Sequence, residues 1–233
     1  SRMPRVVVVS ENSIKDIHSD MGVSLDRMRL VPVGVDPELF LPMPHVTRRP
    51  GRLITTASAD VALKGLSYLL EAMAKLRTER DVTLTIIGKP REGASNDLID
   101  KLGLRPHIEF VSGVSDERIV ELYAEAQAAV VPSLYEGFSL PAVEAMACGC
   151  PVAASNVASL PEVCGDAAAY FDPLVSYPFT PGHDREQPRP FARQRGEWCV
   201  RGIGDDRFER RQIAVNIRKH REHGAQCAAG GRA

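Results

Sequence analysis

Two glutamates eight residues apart, Glu136 and Glu144, lie on either side of a predicted helix start. Ser139 is a residue type that caps helix N-termini, and Pro141 suits a first helical turn, where a missing N–H costs nothing. The unpaired N–H groups of Phe138–Leu140 and the helix dipole would favour an anion at this point. Glu144 would lie about 6 Å further along the helix axis. This offset would suit a diphosphate on the helix end with ribose hydroxyls against Glu144, and Glu136 stays in the loop beside the same phosphate.

A lysine, Lys64, precedes Gly65 at the start of another helical pattern, after an apolar run at 53–56. A lysine there can neutralise a phosphate as a point charge. Taken alone, each of these charged side chains also fits an ordinary solvated position at a helix start or in a turn. The combination of Lys64, Glu136 and Glu144 favours a diphosphate-binding site.

The elements that must position these residues are apolar runs that alternate with helical patterns. The predicted strands are 6–9, 29–33, 53–56, 82–87, 108–111, 129–132 and 151–154. The predicted helices are 13–21, 66–76, 115–126 with Ser115 as N-cap, and 140–148. This alternation predicts an α/β fold, a Rossmann-like parallel sheet with helices on both faces. Ligands of such sheets sit beyond the carboxyl ends of the strands, so the site is expected just after Thr56, Ile87, Val111 and Pro132.

Two further residues near these strand ends have alternative interpretations. Gly88 closes the predicted strand 82–87, where it could allow close approach of the backbone to a ligand or serve as an ordinary turn glycine. Tyr123, in the predicted helix 115–126, fits core packing better than stacking on a base.

The segment from Ser133 to Gly149 resembles the Glu-x7-Glu signature of retaining glycosyltransferases of the GT-B fold, close to glycosyltransferase family 4. The sequence that follows, 150–155 and 160–163, is similar to the next strand and loop of that family. The resemblance covers residues 3 to about 172. It implies transfer of a sugar from a nucleotide-diphosphate-sugar donor with retained anomeric configuration, with no cofactor and no obligatory metal.

The resemblance also implies roles for individual residues. Glu136 would contact the donor sugar and act with Lys64 in catalysis, and Glu144 would bind the ribose. The other donor-binding residues implied are Gly137, Phe138, Ser139, Leu140, Gly88, Val111 and Ser112. The family usually places an arginine six residues before the lysine, where this chain has Ser58, so part of the phosphate clamp would be weaker or supplied differently.

The family pattern divides the chain into four parts. Gly34-Val35-Asp36 resembles the interdomain turn, which makes residues 1–35 the end of an N-terminal, acceptor-binding domain. Residues 36–51, rich in proline, are expected to be a linker, and 52–172 the nucleotide-sugar-binding domain. Residues 173–233 are Arg- and Pro-rich without a sustained apolar period, which predicts a poorly ordered tail. Because the chain opens almost directly on a strand, we expect a fragment whose missing partner is the acceptor-binding domain.

Charge and cysteine content exclude several classes of partner. The formal net charge of −1 over 233 residues provides no global field for nucleic acid or an anionic membrane. Residues 173–233 carry 12 lysines and arginines against 7 aspartates and glutamates, so the tail differs in charge from the rest. No apolar run approaches the roughly 18 residues of a membrane span, and membrane association is not evident. The five cysteines lack paired metal spacing and are expected to be reduced thiols in a cytoplasmic protein.

Other chemistries find no support in the motifs. No Gly-x-Gly-x-x-Gly follows a predicted strand, which argues against a dinucleotide-dependent oxidoreductase. His220 and His223 stand in the doubtful tail and indicate no zinc site, and Cys148-Gly149-Cys150 is not a Cys-x-x-Cys redox pair. Two functions stay open: a sugar-transferring enzyme of which this chain supplies the donor half, and a module that binds a nucleotide or nucleotide-sugar and transfers nothing.

Overall fold

The computed structural model describes residues 5–57, 62–89 and 93–174. The strands within these ranges are β1 (Val6–Val8), β2 (Met28–Leu30), β3 (Arg52–Thr56), β4 (Thr83–Ile87), β5 (Ile108–Val111), β6 (Ala128–Val131), β7 (Val152–Ser155) and β8 (Ala168–Phe171). The helices are α1 (Glu11–Met21), α2 (Leu66–Leu76), α3 (Ala94–Lys101), α4 (Asp116–Glu125), α5 (Leu140–Ala147) and α6 (Leu160–Cys164). Predictions for Ser58, the paired histidines, Cys199, Cys227 and nearly all of the tail lie outside the described residues.

A six-stranded parallel sheet in the order β5-β4-β3-β6-β7-β8 forms the centre of the fold. The strand order changes direction between β3 and β6, which are neighbours in the sheet although β4 and β5 come between them in the chain. In open parallel sheets this switch point leaves a crevice at the carboxyl ends of the strands. The turns after β3 and β6 therefore face each other across it.

Helices cover both faces of the sheet, which confirms the predicted Rossmann-like α/β fold. On one face α2 and α3 pack with Leu84 and Ile86 of β4, and on the other α4 and α5 pack with Ile54 of β3 and Ala129 of β6. Successive residues of each strand point to opposite faces of the sheet, and both faces are covered by helices. The strands therefore appear in the sequence as continuous apolar runs and not as alternating apolar and polar residues.

Several predicted elements match the structure closely, and three were missed. Helix α2 and strand β5 have the predicted bounds, and the Ser115 hydroxyl caps α4 by accepting from the Arg118 N–H at 3.4 Å. Helix α3 and strand β8 were not predicted, and the segment 160–163, expected to be a loop, begins helix α6. The second predicted strand is also shifted, since β2 ends at Leu30 rather than Val33.

Residues 5–50 lie against this sheet and contribute no strand to it. Strands β1 and β2 pair in parallel as a separate two-stranded sheet, connected by α1. Residues 36–51, all described, contain turns but no helix or strand. Phe40 is buried in the main core, and the Arg49 N–H donates to the Glu125 carbonyl at 2.9 Å, so this segment is attached to the sheet domain. Among the described helices, none is long and apolar enough to cross a lipid bilayer.

Candidate functional site

The turns after β3 and β6 touch through their backbones at the switch point. Gly65 has φ +64°, and a Cβ at this position would lie 1.9 Å from the Pro132 carbonyl oxygen. The Leu134 N–H donates to the Leu63 carbonyl at 2.8 Å. Only glycine permits both this left-handed conformation and this close approach. The sequence Lys64-Gly65 thus brings the lysine directly beside the loop that follows β6.

Lys64 and Glu136 form an ion pair in this crevice. The Lys64 Nζ lies 2.7 Å from Glu136 Oε1, and the Ser133 hydroxyl donates to the same oxygen at 2.7 Å. The Glu136 side chain is 11% exposed and that of Lys64 28%, so solvent screens the pair only partly. An ammonium has three N–H donors, so it can hold a carboxylate and an anionic ligand together. The structure therefore brings together the two residues that the sequence predicts for catalysis.

The backbone of the Glu136 loop is held from two sides. The Glu136 carbonyl accepts from the Ser159 hydroxyl at 2.8 Å, and Ser159 is fully buried at the start of α6. The Gly137 carbonyl accepts from the Ser13 hydroxyl of α1 at 3.2 Å. The loop that carries Glu136 is therefore attached both to α1 and to the start of α6.

Ser139 does not cap α5 with its side chain, contrary to the sequence-based expectation. It occupies the N-cap position with φ 84° and ψ 75°, a left-handed conformation, and its hydroxyl makes no cap hydrogen bond. The hydroxyl is buried and has no partner among the described residues. Left-handed backbone at a non-glycine residue costs roughly 1–2 kcal/mol, and an orphaned buried hydroxyl costs about 1–3 kcal/mol. Pro141 does occupy the first turn, as predicted.

Glu144 lies half-buried on α5, one turn beyond that helix start. The Tyr123 hydroxyl approaches Glu144 Oε2 at 3.4 Å, the Pro141 carbonyl at 3.3 Å and the Thr56 hydroxyl at 3.4 Å. Burial raises the pKa of Glu144, while the hydrogen bond from Tyr123 acts in the opposite direction. Burial also raises the pKa of Tyr123, so the phenol stays protonated as a donor. Tyr123 is 1% exposed, which confirms core packing and leaves no face for a base.

The remaining predicted donor contacts follow β4 and β5. A Cβ at Gly88 would lie 2.2 Å from the Ala57 carbonyl oxygen, and the Gly88 N–H donates to the Val111 carbonyl at 2.8 Å. Packing between strand ends thus accounts for this glycine without any ligand. Val111 is partly buried, and Ser112 is exposed just beyond the end of β5. These residues share the carboxyl edge of the sheet with Lys64 and Glu136 but make no contact with that pair among the described hydrogen bonds.

Two cavities adjoin the sheet domain. One of about 460 Å³ lies between the starts of α2 and α3 at the carboxyl edge, next to the Lys64 turn. The other, of about 370 Å³, lies at the opposite edge beside the buried Arg52. Arg52 is already paired there with Glu125 at 2.7 Å and Glu109 at 3.2 Å, so its charge is compensated within the protein.

No group of three or more His, Cys, Asp or Glu side chains converges as a metal site among residues 5–57, 62–89 and 93–174. The three described cysteines, Cys148, Cys150 and Cys164, are free and buried. Burial raises the pKa of each thiol to about 12, so they remain protonated at neutral pH.

Sequence reasoning missed several residues that shape the site. Ser133 and Ser159 hold Glu136, and Ser13 holds the neighbouring carbonyl. A serine three residues before a candidate acid is a weak local signal for Ser133. Ser13 and Ser159 lie 124 and 23 residues from their partners, so no local pattern could have found them.

Known glycosyltransferases are similar to this chain in sequence. The chain is 48% identical over 165 residues to the MMP alpha-(1->4)-mannosyltransferase of Mycolicibacterium hassiacum, covering 70% of this chain and 40% of that protein. It is 33% identical over 193 residues to the D-inositol 3-phosphate glycosyltransferase of Mycolicibacterium smegmatis, covering 77% and 42%. The chain thus spans less than half the length of these relatives.

Solved structures share the fold. Sucrose-phosphate synthase from Thermosynechococcus elongatus superposes with a TM-score of 0.62 at 25% identity, over 72% of this chain and 45% of that one. HepE from Anabaena, solved in complex with UDP and glucose, superposes with a TM-score of 0.63 at 22% identity, over 73% and 50%. The model of the family "Glycosyl transferases group 1" matches residues 45–173, more than half of the chain. The parallel sheet with its switch point, the signature segment and these matches together place the chain in the group 1 glycosyltransferase family.

Proposed function

We propose that this chain is the donor-binding half of a retaining glycosyltransferase that takes its sugar from a nucleotide-diphosphate-sugar. The observation that carries the proposal is the Lys64–Glu136 ion pair at the switch point, beside the start of α5. A cation and the positive end of a helix converge there on the space where a diphosphate would sit. The division into a terminal piece of the acceptor domain (1–35), a linker (36–51) and a donor domain (52–172) belongs to the same proposal.

Stabilisation of the leaving diphosphate would supply most of the catalysis. The bond between the anomeric carbon and the diphosphate oxygen breaks, and its electron pair departs with that oxygen. Lys64, the N–H groups at Phe138–Leu140 and the unpartnered Ser139 hydroxyl would stabilise the negative charge as it develops. The acceptor oxygen bonds to the same face of the carbon, and its proton passes to the departing diphosphate oxygen. Because Lys64 and these N–H groups would neutralise the charge of the leaving diphosphate, the proposed mechanism requires no metal.

The two glutamates would have different tasks. Glu136, held by Lys64 and Ser133, would orient the sugar. Glu144, one helical turn along α5, would accept hydrogen bonds from the ribose hydroxyls. Its raised pKa indicates that burial penalises the charged form, which ribose hydroxyls would offset by donating to it.

A nucleotide-sugar donor is consistent with the relatives. One curated relative is named as a mannosyltransferase, and a protein of the same fold was solved with UDP and glucose.

A second candidate is a module that binds a nucleotide or nucleotide-sugar without transferring the sugar. The short coverage of the relatives favours it for the isolated chain, because an acceptor domain supplied from elsewhere would be needed to position the acceptor. Without a facing domain the donor site also stays wet, which weakens each charge interaction in it.

The experiment is calorimetry of the 233-residue chain with UDP, GDP, UDP-glucose and GDP-mannose, followed by assays for sugar transfer and donor hydrolysis. Binding of at least one nucleotide-sugar more tightly than its nucleoside diphosphate supports a donor site. Binding without turnover would favour the module for the chain in isolation. If none of the four probes binds, the proposed site is wrong.

A further inference from the structure

Three elements far apart in sequence hold one another around the Glu136 loop: residues 133–139 themselves, helix α1, and the start of α6. The Glu162 carboxylate of α6 accepts the Glu11 N–H at 2.8 Å and the Asn12 N–H at 3.1 Å. These are the unsatisfied donors of the first turn of α1. An acid at this helix end is also favoured by the helix dipole. Glu162 therefore attaches α6 to α1 across 150 residues of chain.

Helix α1 in turn forms hydrogen bonds with the residues on either side of Glu136. The Tyr135 hydroxyl donates to Asp16 Oδ2 at 2.6 Å, and the Asp16 carboxylate raises the pKa of Tyr135, which keeps the phenol a donor. The Ser13 hydroxyl donates to the Gly137 carbonyl. Asn12, whose N–H is held by Glu162, also donates its side-chain amide to Asp16 at 2.8 Å. The hydrogen bond between Asn12 and Asp16 thus connects the Glu162 contact to the Tyr135 contact.

Ser159, the residue that precedes α6, completes a closed set of hydrogen bonds between α6, α1 and the Glu136 loop, here called the circuit. Its hydroxyl donates to the Glu136 carbonyl at 2.8 Å, so the same short helix start holds the loop directly and through α1. Residues 135, 136 and 137 are each tied to a different point of this circuit. A shift of α1 cannot leave the loop backbone in place while these hydrogen bonds persist.

We propose that Glu162 is a positioning residue for the donor sugar: by fixing the first turn of α1 it fixes the loop from which Glu136 reaches the sugar. This inference rests on the proposed function, because Glu136 has to meet a sugar for its position to matter. The described hydrogen bonds of Glu162 go to the first turn of α1 and not to Lys64 or Glu136. Its effect is expected on the sugar-dependent part of binding and not on the part due to the nucleotide.

The test compares Glu162→Ala with Glu79→Ala in the 233-residue chain. Glu79 is an exposed acid in the turn after α2, at the opposite edge of the sheet, and provides the same loss of charge. For each variant the ratio of affinities for UDP-glucose over UDP, and for GDP-mannose over GDP, is measured by calorimetry. We expect Glu162→Ala to lower this ratio at least about fivefold, the lower end of coupling between sites, with nucleoside diphosphate affinity unchanged. Glu79→Ala should leave both quantities as in the wild type.

Amide hydrogen exchange provides a readout that does not depend on the proposed function. Glu162→Ala should speed exchange in peptides from 10–21 and also in peptides from 133–140, whereas Glu79→Ala should change neither. Faster exchange in α1 alone, with the loop unchanged, would overturn the positioning role even if no probe bound to the wild type. Absence of binding by the wild type would count against the proposed function, and exchange would still decide this inference.

A double variant tests whether the contacts form one circuit. Tyr135→Phe removes the donor to Asp16 and should also lower the sugar-dependent affinity ratio. If both residues act through α1, Tyr135→Phe combined with Glu162→Ala should lose less than the product of the two single effects. Strictly multiplicative losses would show two independent contacts and contradict a shared positioning role.

Discussion

Lys64 and Glu136 are 72 positions apart in the chain, yet the lysine ammonium lies 2.7 Å from the glutamate carboxylate. They meet because β3 and β6 are neighbours at the point where the strand order reverses. Both side chains are more buried than those of a fully exposed ion pair, so solvent screens their attraction less. In the proposed function the lysine would have a second partner, the diphosphate of a bound donor.

Replacement of Lys64 by alanine should weaken nucleoside diphosphate binding. Loss of a charge-assisted contact costs roughly 1.5–3 kcal/mol, which is about ten- to a hundredfold in affinity. Calorimetry with UDP and GDP measures the change. Lys101→Ala is the matched control, since Lys101 is exposed in the last turn of α3 at the far edge of the sheet. Unchanged affinity in the Lys64 variant would show that the lysine does not contribute to diphosphate binding.

Glu136→Gln should reduce turnover more than donor affinity in a protein that contains both lobes. The amide keeps a hydrogen-bonding shape but loses the negative charge that would act on the sugar as the anomeric carbon becomes electron-poor. Steady-state transfer rates and donor dissociation constants, measured on the same preparation, give the comparison. Equal losses in both would make Glu136 a binding residue only.

Ser139→Gly should raise stability and lower diphosphate affinity at the same time. Glycine removes the left-handed strain of roughly 1–2 kcal/mol but adds about 0.5–1 kcal/mol of chain entropy, and removes the orphaned hydroxyl as well. Together these changes predict a net gain of at least about 1 kcal/mol in the free energy of unfolding, measured by urea denaturation. Ser139→Ala separates the two causes, because alanine removes the hydroxyl and retains the strain. A fall in stability for both variants would mean that the serine is supported by contacts we have not identified.

Glu144→Gln should stabilise the chain at neutral pH and not in acid. Burial raises the pKa of Glu144 above the ordinary 4.5, so its favourable contribution is present below that value and is lost as the pH rises through the raised one. Glutamine carries no such penalty, and its advantage in melting temperature should appear at pH 7.5 and vanish near pH 4. The same variant should bind UDP and GDP less tightly. An equal melting temperature difference at both pH values would show that ionisation of Glu144 is not its source.

Gly65→Ala should be far more destabilising than Gly103→Ala. Both glycines have nearly the same positive φ, +64° and +66°, but a Cβ at Gly65 would meet the Pro132 carbonyl, while at Gly103 nothing lies within 4 Å. The shared backbone strain costs roughly 1–2 kcal/mol, and overpacking adds about 1–3 kcal/mol only at Gly65. Urea denaturation of the two variants measures the difference. Similar losses would mean that the turn after β3 can move away from β6.

The elements that the sequence predicts best are those whose boundaries are set locally. Helix α2 begins after Gly65 and carries its apolar residues at helical spacing up to Leu76, so both ends were predictable. Helix α3 buries only Ile99 completely, and its eight residues lack an apolar period long enough to detect. Packing against the sheet, not local pattern, determines that it is helical.

The candidate site also contains features that local sequence predicts and features that only the complete fold determines. The location of Lys64 and Glu136 at one edge of the sheet could be predicted, because each follows a strand and parallel strands end at the same edge. The conformation of Ser139 could not, since a serine before a helix ordinarily caps it and only the surrounding fold forces positive φ. The contact between Glu162 and Glu11 joins residues 151 positions apart, which no spacing rule reaches.

The attachment of residues 36–51 to the sheet domain determines where β1, α1 and β2 could rotate relative to that domain. Phe40 is buried in the main core, its N–H donates to the Asp36 carbonyl at 2.9 Å, and Arg49 is bonded to the end of α4. This segment therefore moves with the sheet. The Val31 N–H donates to the Val8 carbonyl at 2.8 Å, so Val31 stays with β1. Any rotation of β1, α1 and β2 as one unit would therefore have its pivot between Pro32 and Asp36. Opening the molecule about that axis would withdraw α1 from the Glu136 loop, so access to the proposed donor site and order within it would change in a single motion.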